Sequence, residues 1–148
     1  MGLRMQQYFN STVSTSAEHT CKIATQFVTQ LQGGDTVFLQ GNLGVGKTTF
    51  CQGLLAAMGY TKAVQSPTFA LVNSYPLLQW TVNHFDLYRC KSSAELEAIG
   101  YRDYLSPNDI QLIEWPEKAI DYLPQPEWVV ELSYQQHNRL ILIQCLKK

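Results

Sequence analysis

Charge is scarce in this sequence: Asp, Glu, Lys and Arg make up 16% of it, with a formal net charge of −1 and a pI near 6.3. That balance gives no global attraction to nucleic acid or anionic lipid, so if this protein meets RNA, a partner is expected to make most of the phosphate contacts. No apolar run approaches the roughly 18 residues that a membrane span needs. The opening stretch "MGLRMQQYFNSTVSTS" lacks the apolar centre of a secretory signal. Its Met1-Gly2 start has Gln6 where a myristoylation site wants Ser or Thr. Cysteine is sparse too, with Cys21, Cys51, Cys90 and Cys145 widely separated and no CxxC pair. Buried thiols in a reducing cytoplasm are expected rather than a disulfide or metal framework. His19, His84 and His137 share no ligand spacing, so zinc is not expected. Repeats, low-complexity tracts and long linkers are also missing.

What is present fits one globular domain. The 148 residues are 45% hydrophobic, enough to bury a core, and residues 1–148 are read as a single domain whose first 15 residues form a partly extended N-terminal segment. Ile23, Phe27, Val28 and Leu31 recur at helical spacing, with Ser16 placed to cap the start and Gly33-Gly34 to end it. "TVFLQG" then suits a buried parallel strand, and "TTFCQGLLAAMG" reads as helix up to Gly59. Phe69 to Tyr75 and Trp80 to Leu87 are β-like runs on either side of "PLLQ", a turn candidate. "SSAELEAIG" reads as a short capped helix stopped by Gly100, and "DIQLIEW" as another compact apolar run. "WVVELSY" and "RLILIQCL" form a hairpin through "QQHN". With the glycine-rich stretch Gly41–Thr48 lying between the first strand and its helix, the expected class is α/β: a P-loop NTPase-like, three-layer fold with a mostly parallel sheet and antiparallel additions, including the C-terminal hairpin.

Between the first strand and its helix lies "GNLGVGKTTF". Gly41, Gly44, Gly46, Lys47 and Thr48 satisfy G-x-x-x-x-G-K-[ST], with Asn42, Leu43 and Val45 as the variable positions. Glycines permit backbone conformations that bring successive N–H groups onto phosphate oxygens, and the following helix adds its positive end. Lys47 is suited to the β- and γ-phosphates, and the Thr48 hydroxyl to one Mg²⁺ position. The sequence has no N-K-x-D base-reading motif and no LSGGQ-like signature. Its arginines are only Arg4, Arg89, Arg102 and Arg139, too few for the lid of a small-molecule kinase. ATP is favoured by elimination. Adenine contacts are unassigned, with the segment before the first helix as a candidate.

Chemistry on Mg²⁺ in such a fold calls for a carboxylate at the end of a neighbouring strand. Asp86 in "TVNHFDLYR" and Glu114 in "DIQLIEWPE" both end apolar runs. "QSPTF" follows the phosphate-loop helix, where Ser66 and Thr68 offer hydroxyls to a γ-phosphate or metal and Pro67 fixes the turn between them.

Together, "GNLGVGKTTF", "SPTF", "HFDLYR" and "IEWPE", in this order, resemble the TsaE (YjeE) family from about Ser16 to the final strand. That resemblance implies a bacterial ATPase serving biosynthesis of threonylcarbamoyladenosine beside the tRNA anticodon. It implies weak hydrolysis alone and faster hydrolysis beside TsaD and TsaB, with ATP turnover resetting the complex and tRNA met indirectly. It also implies roles: Gly41 to Thr48 on the phosphates, Thr49 supporting them, Thr48 and Glu114 at the metal, and Asp86 as second carboxylate. Trp115 would lie beside the nucleotide, Ser66 and Thr68 would fall in a switch segment, and Arg139 would match an arginine near the nucleotide. Asn42, where Asp is common, and Cys90, where Leu is usual, are small departures. The rival readings are a small P-loop kinase passing the γ-phosphate to a hydroxyl, and a nucleotide-dependent scaffold without turnover.

Overall fold

The structure, a computed structural model, describes residues 9–67 and 70–147. Its elements run β1 (Phe9–Ser14), α1 (Ala17–Val28), β2 (Thr36–Gln40), α2 (Lys47–Ala57), β3 (Val72–Pro76), β4 (Thr81–Asp86) and α3 (Ser93–Ala98). These are followed by β5 (Asp109–Glu114), β6 (Trp128–Gln135) and β7 (Asn138–Cys145), with single 3₁₀ turns at Tyr101–Tyr104 and Pro116–Ala119. Among the described residues the strands form one sheet ordered β1-β7-β6-β2-β5-β4-β3. β6, β2, β5 and β4 are mutually parallel; β7 pairs antiparallel with β6, β1 antiparallel with β7, and β3 antiparallel with β4.

Strand periodicity sorts side chains into two cores. Val37, Leu39, Val82, Ile110 and Leu112 face α1 and α2, whereas Phe38, Phe85 and Ile113 face α3 and the 3₁₀ turns. The result is three layers, as the sequence leads one to expect. Glu114, two residues after Leu112, and His84, two after Val82, therefore lie on the α2 side of the sheet.

Helix α1 starts where expected, with the Ser16 hydroxyl accepting from the His19 N–H at 3.0 Å. It ends at Val28, short of Gly33-Gly34, because Thr29 caps it and its hydroxyl bonds Gln26 O. The glycine pair instead serves the turn into β2, where the Gly34 N–H donates to Asp109 O at 2.8 Å. Helices α1 and α2 touch closely at Gly53, where a Cβ would lie 2.8 Å from Cys21 Cα and 3.0 Å from Ala24 Cβ. β3 begins at Val72 rather than Phe69, after Leu71 turns the chain at φ 64°; Phe69 and Thr68 lie outside the described residues. The hairpin β6–β7 closes through Gln135↔Asn138, and part of the N-terminal segment becomes β1 along β7. All four cysteines are free thiols. Lys147 is tied down, 3.1 Å from Asp35 Oδ2 and 3.2 Å from Gln32 Oε1. No helix is long and apolar enough to cross a membrane among the described residues.

Candidate functional site

Three parallel strands end together. β5 pairs with both β2 and β4, setting Leu39 beside Glu114 and Asp86 beside Glu114. The loop Gly41–Gly46 leaves β2 at this carboxyl edge, the side of an open α/β sheet where ligands bind. Gly41 has φ 148°, and a Cβ there would sit 2.4 Å from Leu132 O, so only glycine lets the loop lie this low on the sheet. The Val45 N–H closes a turn onto Asn42 O, leaving Leu43 exposed at the rim.

Helix α2 begins directly on Lys47. Unlike α1, it has no side-chain cap and no acid in its first turn, so its positive end is left for an external anion. Lys47 is buried, donates to Gly41 O, and places Nζ 3.5 Å from the centre of the Trp115 ring. Burial pulls its pKa down; the negative fields of Glu114, Glu117 and Asp86 oppose that but do not cancel it. Trp115 reaches this position because it leaves β5 with φ 58°, ahead of Pro116 at the start of a 3₁₀ turn.

Thr48 Oγ1 lies 3.3 and 3.4 Å from the two oxygens of Glu114, which is buried at 2% exposure. Asp86 accepts from the Ser66 hydroxyl and, through Oδ1, from the Tyr88 N–H at 3.0 Å. The sequence-selected Lys47, Thr48, Ser66, Asp86, Glu114 and Trp115 thus share one cleft of about 370 Å³, with Arg89 also in its wall. Thr49 lines this cleft and also a second one of about 210 Å³ on the other side of the loop. Arg139 belongs to the second cleft: its Nε donates to Val45 O at 3.1 Å and its guanidinium covers the Tyr134 ring. Ser14 to Ser16, just before α1, and Ala17 at its start form the facing wall. Arg139 is thus kept apart from the two carboxylates.

Sequence reasoning missed His84. Its Nε2 lies 2.6 Å from Glu114 Oε2, and its ring is wholly buried. The available signal was the alternation of β4, which puts His84 on the same face as Asp86. Cys51 is also beneath the loop, and Cys51, His84 and Glu114 have ligand atoms within 4.8 Å of one another. Burial pushes the Cys51 thiol well up, which keeps it protonated and a poor ligand.

A hard cation such as Mg²⁺ wants oxygen donors. The Thr48 hydroxyl against the Glu114 carboxylate supplies such a pair at the foot of an anion cradle. The residues present therefore fit Mg²⁺ and a phosphate chain together.

A glycine loop joining a central parallel strand to an uncapped helix, with a buried lysine and strand-end acids, defines a P-loop nucleotide-binding α/β protein. Comparison with known proteins narrows that class. The family model described as "Threonylcarbamoyl adenosine biosynthesis protein TsaE" matches residues 14–141, and the chain belongs to the TsaE family. It is 43% identical over 105 residues to the Haemophilus influenzae "tRNA threonylcarbamoyladenosine biosynthesis protein TsaE", covering 71% of this chain and 66% of that protein. The Rickettsia bellii protein of the same description is 39% identical, over 87% of this chain and 90% of its own length. The crystal structure of Bacillus subtilis YdiB superposes with a TM-score of 0.77 at 26% identity, covering 96% of this chain and 87% of that one.

Proposed function

We propose that this chain is a cytoplasmic Mg²⁺-dependent ATPase that serves threonylcarbamoyladenosine formation on tRNA. It acts beside TsaD and TsaB homologues, resets their assembly between rounds, and meets tRNA only through them. The observation that carries this reading is the Thr48 hydroxyl held against the buried Glu114 carboxylate, directly below the Gly41–Lys47 cradle.

The N–H groups of Gly41 to Gly46 and the start of α2 take the phosphates. Lys47 exchanges Gly41 O and the Trp115 face for phosphate oxygens. Thr48 and Glu114 would hold the metal, with Glu114 and Asp86 placed to position it and the attacking water. A bond from water oxygen to the γ-phosphorus forms as the bridging P–O bond breaks, giving ADP and phosphate. Mg²⁺, when bound, offsets charge on the β- and γ-phosphate oxygens. Ser66, bonded to Asp86, ties the segment after α2 to the nucleotide state. The second cleft, which contains no carboxylate, takes the base side, with Ser14 to Ala17 and Arg139 around it.

Arg89 is exposed, and among the described residues no buried arginine lines the acid-lined cleft. A transition-state cation supplied or ordered by a partner is worth about 10³–10⁵ in rate. Low turnover alone and acceleration in the assembly follow. Steady-state phosphate release with and without the two homologues tests this. Equal rates would refute partner control, and γ-phosphate recovered on an acceptor hydroxyl would replace hydrolysis by phosphotransfer.

A further inference from the structure

Resting on the ATPase reading above, we propose that His84 is a positioning residue: it holds the Glu114 carboxylate turned toward Thr48 and the divalent cation. The terminal torsion of a glutamate is broad, so only its partners choose the orientation of its oxygens. Lys47 sits close enough to exert a field on Glu114 and would draw an untethered carboxylate toward its ammonium. His84 Nε2 opposes this by gripping Oε2 at 2.6 Å. Against an ionised carboxylate, which only accepts, the ring grips through an Nε2–H donor. With Oε2 gripped, the carboxylate stays turned to Thr48, whose Oγ1 lies 3.3 Å from Oε1 and 3.4 Å from Oε2.

Packing alone accounts poorly for this histidine. Its Nδ1 is buried with no partner among the described residues, so the ring costs free energy that an apolar side chain of similar volume would not. Its anchor is rigid: His84 lies inside β4, paired with Leu112 of β5 on one side and Asn73 of β3 on the other. A strand-borne imidazole fixing a metal-facing carboxylate is an outer-shell arrangement whose loss costs about 10–100-fold in metal affinity or activity.

The test compares H84Q, whose amide nitrogen takes the place of Nε2, with H84N, whose amide falls short of Glu114. Urea denaturation first establishes that each is folded. Affinity for a fluorescent ATP analogue is then measured in excess Mg²⁺ and in EDTA. H84N is expected to bind within about 2-fold of the unsubstituted chain in EDTA and to lose about 10–100-fold of the Mg²⁺-dependent enhancement, while H84Q recovers most of it. A folded H84N with the full enhancement would overturn the proposal, as would an H84Q no better than H84N.

Should H84N fail to fold, the unsubstituted protein with ¹⁵N-labelled histidine carries the test. The protected Nε2–H resonance of His84 is expected to shift when Mg²⁺ joins bound ADP, and an unmoved resonance would overturn the proposal. If the unsubstituted chain binds no nucleotide, the ATPase reading falls and takes this inference with it. If Mg²⁺ strengthens nucleotide binding equally in the unsubstituted chain and in H84N, only the role of His84 falls.

Discussion

On the proposed function, Lys47 and Glu114 divide the labour of the site, and substitutions separate their contributions. Lys47→Ala removes the ammonium that replaces Gly41 O and the Trp115 ring with phosphate, so nucleotide binding, followed by calorimetry, is expected to be lost. Glu114→Ala leaves the cradle intact but removes the metal-facing carboxylate, so binding in EDTA persists while the Mg²⁺-dependent enhancement falls and phosphate release drops to background. An E114A protein that turns over normally would make Glu114 a strand-end residue with no part in the chemistry. Tyr101 offers a stability test away from the site. Burial pushes its phenol up to about 12, and its hydroxyl has no partner among the described residues. The folded state favours the neutral phenol, so its contribution is intact below about pH 10 and is lost as pH rises through about 12. Urea midpoints at pH 9 and 11 should separate less in Tyr101→Phe than in the unsubstituted chain. The same substitution removes an unsatisfied hydroxyl and is expected to be neutral or stabilising at pH 7.

Among the elements, the α1–α2 contact is the most sensitive to volume. Gly53→Ala adds about 1 kcal/mol of helix propensity to α2. The added methyl, however, meets Cys21 backbone at 2.8 Å, and overpacking of a tight core costs about 1–3 kcal/mol. The second effect wins, so net destabilisation without loss of helix content is expected in denaturation followed by circular dichroism. Local signals were enough to place most elements. Ser16 marks the start of α1 through a hydrogen bond three residues along the chain, and β2, β5 and the β6–β7 hairpin follow from apolar runs. Element ends were harder to place. Thr29 stops α1 before the glycines do, and Leu71 delays β3, because both depend on turns that the apolar pattern does not encode.

On the scale of the molecule, the site draws on β2, α2, β4 and β5, so nucleotide should stabilise the whole domain. Free ligand at 100 times its Kd adds about 2.7 kcal/mol to a folded state that alone binds it. A single thermal transition is expected to move upward with Mg²⁺ and ATP and to move less when EDTA replaces Mg²⁺. A biphasic shift would mean that the nucleotide grips one part of the sheet only.

The phosphate cradle was determined by the sequence alone. Its demands are local: glycines where the backbone must pass low over the sheet, a lysine and a threonine opening a helix, all within a few residues of one another. The two acids were visible as the ends of apolar runs. Only the tertiary structure decided that they sit side by side, because β5 inserts between β2 and β4 although it follows both in the chain. The grip of His84 on Glu114, across 30 positions, and of Arg139 on Val45, across 94, depend equally on strand order and register. Local conformational preference is written in neighbouring residues, whereas which distant strands lie edge to edge is settled by the packing of all of them at once.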